Sequence, residues 1–72
     1  MQRMTYREIE QTYPNEWVLI DEPDLDQARK VRSGVVIAHS PKRNEVDAVS
    51  LAHRGHLAIS YTGKIKGRVF VL

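Results

Sequence analysis

Three histidines are the side chains of this chain best suited to chemistry. His53 and His56 lie three residues apart, and His39 stands at the end of a predicted strand. Neutral imidazoles are ligands for zinc and nickel, and a protein site needs about three such ligands. A metal-dependent enzyme using the three histidines is therefore one hypothesis. The structural alternative is that His53 is favoured at the negative end of a helix dipole and that His56 opens a strand.

Basic residues near aromatic rings indicate a second possible activity, the binding of nucleic acid. The residues concerned are Lys42, Arg43, Lys64, Lys66 and Arg68. Proteins that contact several phosphates usually carry a large positive excess, whereas the net charge here is +2. Nucleic-acid binding is therefore kept as an alternative and is not the preferred function.

The charge is unevenly distributed along the chain. Residues 1–26 contain seven acids and two arginines, whereas residues 27–72 contain nine lysines and arginines and two acids. Such asymmetry indicates either an anionic partner or attraction between the two halves, within one fold or between subunits. Cysteine is absent, which excludes disulfides and thiolate metal sites, and the glycines follow no phosphate-loop spacing. No cofactor is predicted.

Length and hydropathy place this chain among small globular domains. Its 72 residues have room for one core, so residues 1–72 are predicted to form a single domain. The longest apolar runs have four residues, against the roughly 18 to 20 of a membrane span. The first residues lack the apolar region of a secretory peptide. We therefore expect a cytoplasmic protein without a membrane partner.

The first half predicts a helix followed by a strand. Thr5-Tyr6-Arg7-Glu8 forms a capping box, which predicts a helix from Tyr6, and Pro14 ends that helix in a turn. Glu16 to Ile20 is typical of a strand, with Trp17 and Leu19 facing inward. The acidic stretch from Asp21 to Gln27 contains Pro23 and is predicted to be a solvated loop.

The second half predicts a strand, a helix and two further strands. The buried-strand pattern Val35 to Ala38 lies within Val31 to His39. Either Ser40 or Asn44 can cap the next helix; Asn44 is favoured because the other choice places Lys42 and Arg43 at the positive helix end. This helix is expected to end at Arg54, before Gly55. The last predicted strands are Leu57 to Tyr61 and Val69 to Leu72.

These elements predict an α+β fold of order α-β-β-α-β-β, with two helices and a small mixed sheet of three to four strands. The two central strands are expected to be antiparallel where adjacent. The second central strand, the following helix and the next strand are expected to form a right-handed crossover. Both helices would then cover one face of the sheet.

Three segments resemble a family of short bacterial proteins, common in cyanobacteria, that has no established activity. They are Tyr13 to Ile20 (YPNEWVLI), Val35 to Pro41 (VVIAHSP) and Tyr61 to Ile65 (YTGKI). The resemblance covers most of residues 5–72 and rests on structural motifs, so it implies no catalytic residue. The family often has proline where this chain has Lys66.

The preferred function is a small non-enzymatic module that associates with itself, as a homodimer, or with another small protein. A core of this size is marginal and benefits from an added contact. Helical periodicity leaves one bulky apolar residue of the second helix unburied, and the final strand is too apolar for an exposed end. The predicted interface residues are therefore Leu51, Val69, Phe70, Val71 and Leu72.

Overall fold

The fold is described by a computed structural model of residues 2–63. Its elements are β1 (Met4–Thr5), α1 (Tyr6–Thr12), β2 (Trp17–Leu25), β3 (Val31–Ser40), α2 (Arg43–Ala52) and β4 (Leu57–Tyr61). The four strands form one sheet in the order β1-β3-β2-β4. The α+β class with two helices is confirmed. The predicted strand Val69 to Leu72 lies outside the described residues.

Every pairing of strands within residues 2–63 is antiparallel, so this part of the sheet is not mixed as predicted. The long hairpin of β2 and β3 forms the centre, and β4 pairs with the far edge of β2. Strands β3 and β4 each pair antiparallel with β2, so they run parallel to each other with β2 between them. The connection through α2 therefore crosses over one strand.

The first helix begins as the sequence predicts. Glu8 donates its backbone N–H to the Thr5 hydroxyl at 3.2 Å, and the Thr5 N–H donates to the Glu8 carboxylate at 2.9 Å. The helix ends at Thr12, before Pro14, and Asn15 turns the chain with a φ of 58°. Local sequence signals are sufficient to predict both ends of α1, because the residues that determine each end lie within four positions of it.

Strand β2 is longer than predicted, since the presumed loop from Asp21 onward continues as strand to Leu25. The register with β3 shifts around Glu22, which has a φ of 49°. This irregularity allows buried Pro23 to lie within the strand without interrupting the hairpin. The prediction of a solvated loop at Asp21 to Gln27 was wrong because long-range pairing overrides the local composition.

The second helix starts and ends earlier than predicted. Its N-cap is Lys42 rather than Asn44, and its last residue is Ala52 rather than Arg54. The Ser40 hydroxyl accepts the Lys42 N–H at 3.0 Å and donates to the Glu45 carboxylate, which brings a negative charge to the first turn. Arg43 is tolerated there because its guanidinium extends over the Trp17 ring, 4.9 Å from its centroid.

The two helices cover opposite faces of the sheet, not one face as expected. Ile9 of α1 packs on Val18 and Ile20 of β2. Arg43 of α2 lies over Trp17, on the other face, because successive strand residues alternate. Fully buried hydrophobic side chains thus lie on both faces: Ile9, Val18, Leu19, Ile20 and Val46. No helix within residues 2–63 is long and apolar enough to span a membrane.

Candidate functional site

Strand β4 is an edge strand in the described part of the chain: β2 pairs with one side, and no described strand pairs with the other. Two hydrogen bonds define its orientation. The Glu22 N–H donates to the His56 carbonyl at 3.0 Å, and the Thr62 N–H donates to the Glu16 carbonyl at 2.9 Å. Main-chain groups alternate in direction along an antiparallel strand. The N–H and C=O groups of Leu57, Ile59 and Tyr61 therefore point away from β2.

The side chains of β4 are apolar on the face that α2 partly covers. Leu57, Ile59 and Tyr61 share this face, and the Tyr61 ring lies 5.1 Å from the Trp17 ring. Helix α2 packs on β2 and β3, and all five residues of β4 are half-buried. The strand contains no charged side chain. It lacks the lysine that commonly protects an edge strand from pairing.

A groove of about 480 Å³ lies beside β4 on the face that α1 covers. Its apolar wall comes from Leu25 and Val31 at the end of the β2–β3 hairpin, together with Ala58 and Ile59 of β4. Tyr6 of α1 closes it, and the Tyr6 hydroxyl is hydrogen-bonded to Ser60 Oγ at 2.6 Å. Among the described residues, α1 packs mainly on β1 and β3, and its Tyr6 reaches β4 at Ser60. The groove lies between Tyr6 and the β2–β3 hairpin.

The rim of the groove carries two cations, Arg29 and Lys30. Both lie in the hairpin loop and are exposed. The loop is shaped by Asp26, whose Oδ1 accepts the Ala28 N–H at 2.8 Å and the Lys30 N–H at 2.9 Å. Arg29 adopts a φ of 64°. An apolar cleft with a positive rim can hold a ligand that has an apolar body and an anionic group.

The first predicted metal ligand, His39, contacts the side chains of Glu16 and Tyr13. Its Nδ1 lies 2.9 Å from Glu16 Oε1, and its ring centroid is 4.2 Å from that of Tyr13. His39 pairs with Val18 and therefore shares the α1 face of the sheet. These contacts tie the end of β3 to the turn after α1.

The other two histidines lie elsewhere. His53 Nε2 is 3.6 Å from Asp21 Oδ2, on the α2 face, whereas His56 is exposed just before β4. The structure does not bring either of them to His39. The sheet lies between His39 and His53, and His56 lies at the start of β4, which β2 separates from β3. Across residues 2–63, no group of three or more His, Cys, Asp or Glu side chains could hold a metal ion.

The predicted nucleic-acid residues are only partly described. Lys42 is exposed at the start of α2. Arg43 is engaged twice, since it lies over Trp17 and its Nε is 3.6 Å from Asp47 Oδ2. The other three, Lys64, Lys66 and Arg68, lie outside the described residues. The described pair gives little support to a nucleic-acid surface.

One predicted interface residue can be located. Leu51 is 89% exposed on α2, as the periodicity predicts. The remaining interface residues, Val69, Phe70, Val71 and Leu72, lie outside the described residues. Sequence reasoning missed the groove altogether, although the alternation of small Ala58 and Ser60 with large neighbours in β4 was a usable signal that one face of this strand has space above it.

Comparison with protein-family models, with curated proteins and with solved structures found no match to this chain. The resemblance to the bacterial family therefore stays a prediction.

Proposed function

We propose that this protein is a small non-enzymatic interaction module that forms a homodimer through the outer edge of β4. The observation that carries the proposal is the set of outward main-chain groups on Leu57, Ile59 and Tyr61. Pairing of such an edge with another strand is a common mode of protein recognition, in which main-chain hydrogen bonds supply the affinity. A second copy offers an identical strand.

The geometry of β4 suits a two-fold contact. If two copies pair antiparallel about Ile59, the middle residue of Leu57–Tyr61, each Leu57 faces the Tyr61 of the other copy. The contact is then self-complementary, as closed dimers require. Since β4 carries no charge, no like charges oppose each other across it.

The small core also favours association. The fully buried hydrophobic side chains of the described residues are few: Ile9, Val18, Leu19, Ile20 and Val46. A chain of this length buries only about 60% of its unfolded surface. Pairing of the two β4 edges would bring their half-exposed side chains side by side and remove part of that apolar surface from water, which adds stabilisation to a small core.

A proline at Ile59 tests the proposal. The Ile59 N–H points away from β2, so Ile59→Pro removes an outward donor without removing a hydrogen bond between β2 and β4. Ile59→Ala is the matched control, because it loses the side chain and keeps the N–H. By light scattering after size exclusion at micromolar concentration, we expect dimer mass for the wild type and Ile59→Ala, and monomer mass for a folded Ile59→Pro.

Two further variants distinguish the other predicted contacts. Leu51→Ser removes the exposed side chain of α2, and a deletion of residues 69–72 removes the apolar end of the chain. If either one abolishes the dimer while Ile59→Pro keeps it, the interface lies away from β4. A wild-type protein of monomer mass at all concentrations would contradict self-association and would direct the search to a different protein partner.

A further inference from the structure

We propose that the groove bounded by Tyr6, the β2–β3 hairpin and β4 binds a medium-chain monocarboxylate, with its acyl chain in the groove and its carboxylate at Arg29 and Lys30. The proposal does not depend on the dimer, because it is argued from the α1 face of β4 and the hairpin loop, although Ile59 of the proposed dimer edge also lines the groove. Nothing in the predicted self-association requires this groove.

The apolar part of the argument is the size and lining of the groove. Its volume of about 480 Å³ falls within the roughly 300 to 1,000 Å³ of ligand sites in proteins. Leu25, Val31 and Ala58 present aliphatic surface there. The hydroxyl groups of Tyr6 and Ser60 are bonded to each other at 2.6 Å, so the closed end of the groove makes little demand for a polar ligand atom. These features select an aliphatic body.

The charge at the rim selects an anionic head group. Arg29 and Lys30 are adjacent in the hairpin loop. The acids nearby are engaged: Asp26 accepts two backbone N–H groups of the loop, and Asp24 pairs with Arg32 at 3.1 Å. Asp26 keeps its negative charge, and Arg29 and Lys30 together exceed it, so the rim has a net positive charge. A carboxylate placed there gains charge-assisted hydrogen bonds from guanidinium and ammonium groups.

Decanoate is the probe, and amide chemical shifts of the full-length protein are the measurement. We expect saturable shifts at Val31, Ala58 and Ser60. Decyltrimethylammonium has the same chain with the opposite charge, and we expect it to bind at least about tenfold more weakly because the rim repels it.

Two double variants distinguish the effect of the cations at the rim of the groove from the effect of the protein's overall charge. The double variant Arg29→Asn, Lys30→Gln removes the rim cations, and asparagine tolerates the φ of 64° at position 29. The double variant Lys42→Gln, Arg54→Gln removes two exposed cations outside the groove lining. We expect roughly a three- to tenfold loss of decanoate affinity in the first variant and less than about a twofold change in the second.

Several outcomes would overturn the proposal. Equal binding of the cationic probe, equal effects of the two double variants, or shifts confined to the α2 face would each do so. Loss of amide dispersion on titration would identify decanoate as a detergent. Nuclear Overhauser contacts from the Phe70 ring to Tyr6 or Ala58 in the free protein would show that the chain itself occupies the groove.

Discussion

At the scale of single residues, Thr62 joins three parts of the chain. Its Oγ1 lies within hydrogen-bonding distance of the Tyr13 carbonyl at the end of α1 and of the Glu16 carbonyl before β2. The same oxygen accepts the Glu16 N–H at 3.1 Å. One hydroxyl thus serves main-chain groups of the turn after α1, among them the Glu16 N–H, while the Glu16 carbonyl also accepts the Thr62 N–H at 2.9 Å. The position is half-buried, so water replaces these bonds poorly.

Replacement of Thr62 tests this role. Thr62→Val keeps the shape of the side chain and loses the hydroxyl, so we expect the free energy of unfolding to fall by about 1 to 3 kcal/mol. Thr62→Ser keeps the hydroxyl and should cost less than about 1 kcal/mol. Urea denaturation followed by circular dichroism measures both. Equal losses for the two variants would mean that the methyl group, not the hydroxyl, matters.

At the scale of elements, α1 depends on its cap because it has only seven residues. Isolated helices of this length are not stable in water. Thr5→Ala removes the side-chain oxygen that accepts the Glu8 N–H, and we expect a loss of about 0.5 to 2 kcal/mol in the free energy of unfolding. Thr5→Ser retains the acceptor and should stay within a few tenths of a kcal/mol of wild type. An unchanged denaturation midpoint for Thr5→Ala would show that the cap contributes nothing.

The β2–β3 hairpin depends on the missing side chain of Gly34. A Cβ atom there would lie 2.2 Å from Ile20 Cγ2 and 3.3 Å from the Asp21 carbonyl. We expect Gly34→Ala to lower the free energy of unfolding by about 1 to 3 kcal/mol, because the hairpin must shift to relieve the overlap. The neighbouring Ser33→Ala loses one exposed bond from Arg3 and should change it by less than about 0.5 kcal/mol. Thermal melts of both variants test this prediction. Similar melting temperatures for Gly34→Ala and Ser33→Ala would contradict the role given to Gly34.

The elements that could be predicted from sequence are those fixed by neighbours along the chain. The cap at Thr5, the turn after α1 and the pattern of β4 involve residues at most a few positions apart. The extension of β2 to Leu25 could not be predicted, because Pro23 and the acids beside it disfavour a strand locally. That extension is stabilised by pairing with Val31 to Ser33 of β3. The groove was missed for the same reason, since Tyr6 and Ser60 are 54 positions apart in the sequence.

At the scale of the whole molecule, three acids of the first half contact basic side chains of the second half, of which one is an arginine and two are histidines. Acids of the first half lie beside cations or histidines of the second half: Glu16 with His39, Asp21 with His53, and Asp24 with Arg32. Each pair is partly exposed and contributes little to stability. The Asp24–Arg32 pair joins an acid of the first half to a permanent cation of the second half, so attraction within the fold accounts for part of the asymmetry.

A homodimer built on β4 makes stability depend on protein concentration. Because dissociation accompanies unfolding, a hundredfold increase in concentration stabilises the dimer by roughly 2.7 kcal/mol. For a 72-residue chain, this should raise the melting temperature by several degrees. We expect the rise for the wild type and Ile59→Ala, and a constant melting temperature for Ile59→Pro. Differential scanning calorimetry between about 2 and 200 µM measures it, and a constant wild-type melting temperature would exclude coupling between folding and association. Salt should have little effect on how steeply the melting temperature rises with protein concentration, because the proposed contact consists of main-chain hydrogen bonds and uncharged side chains.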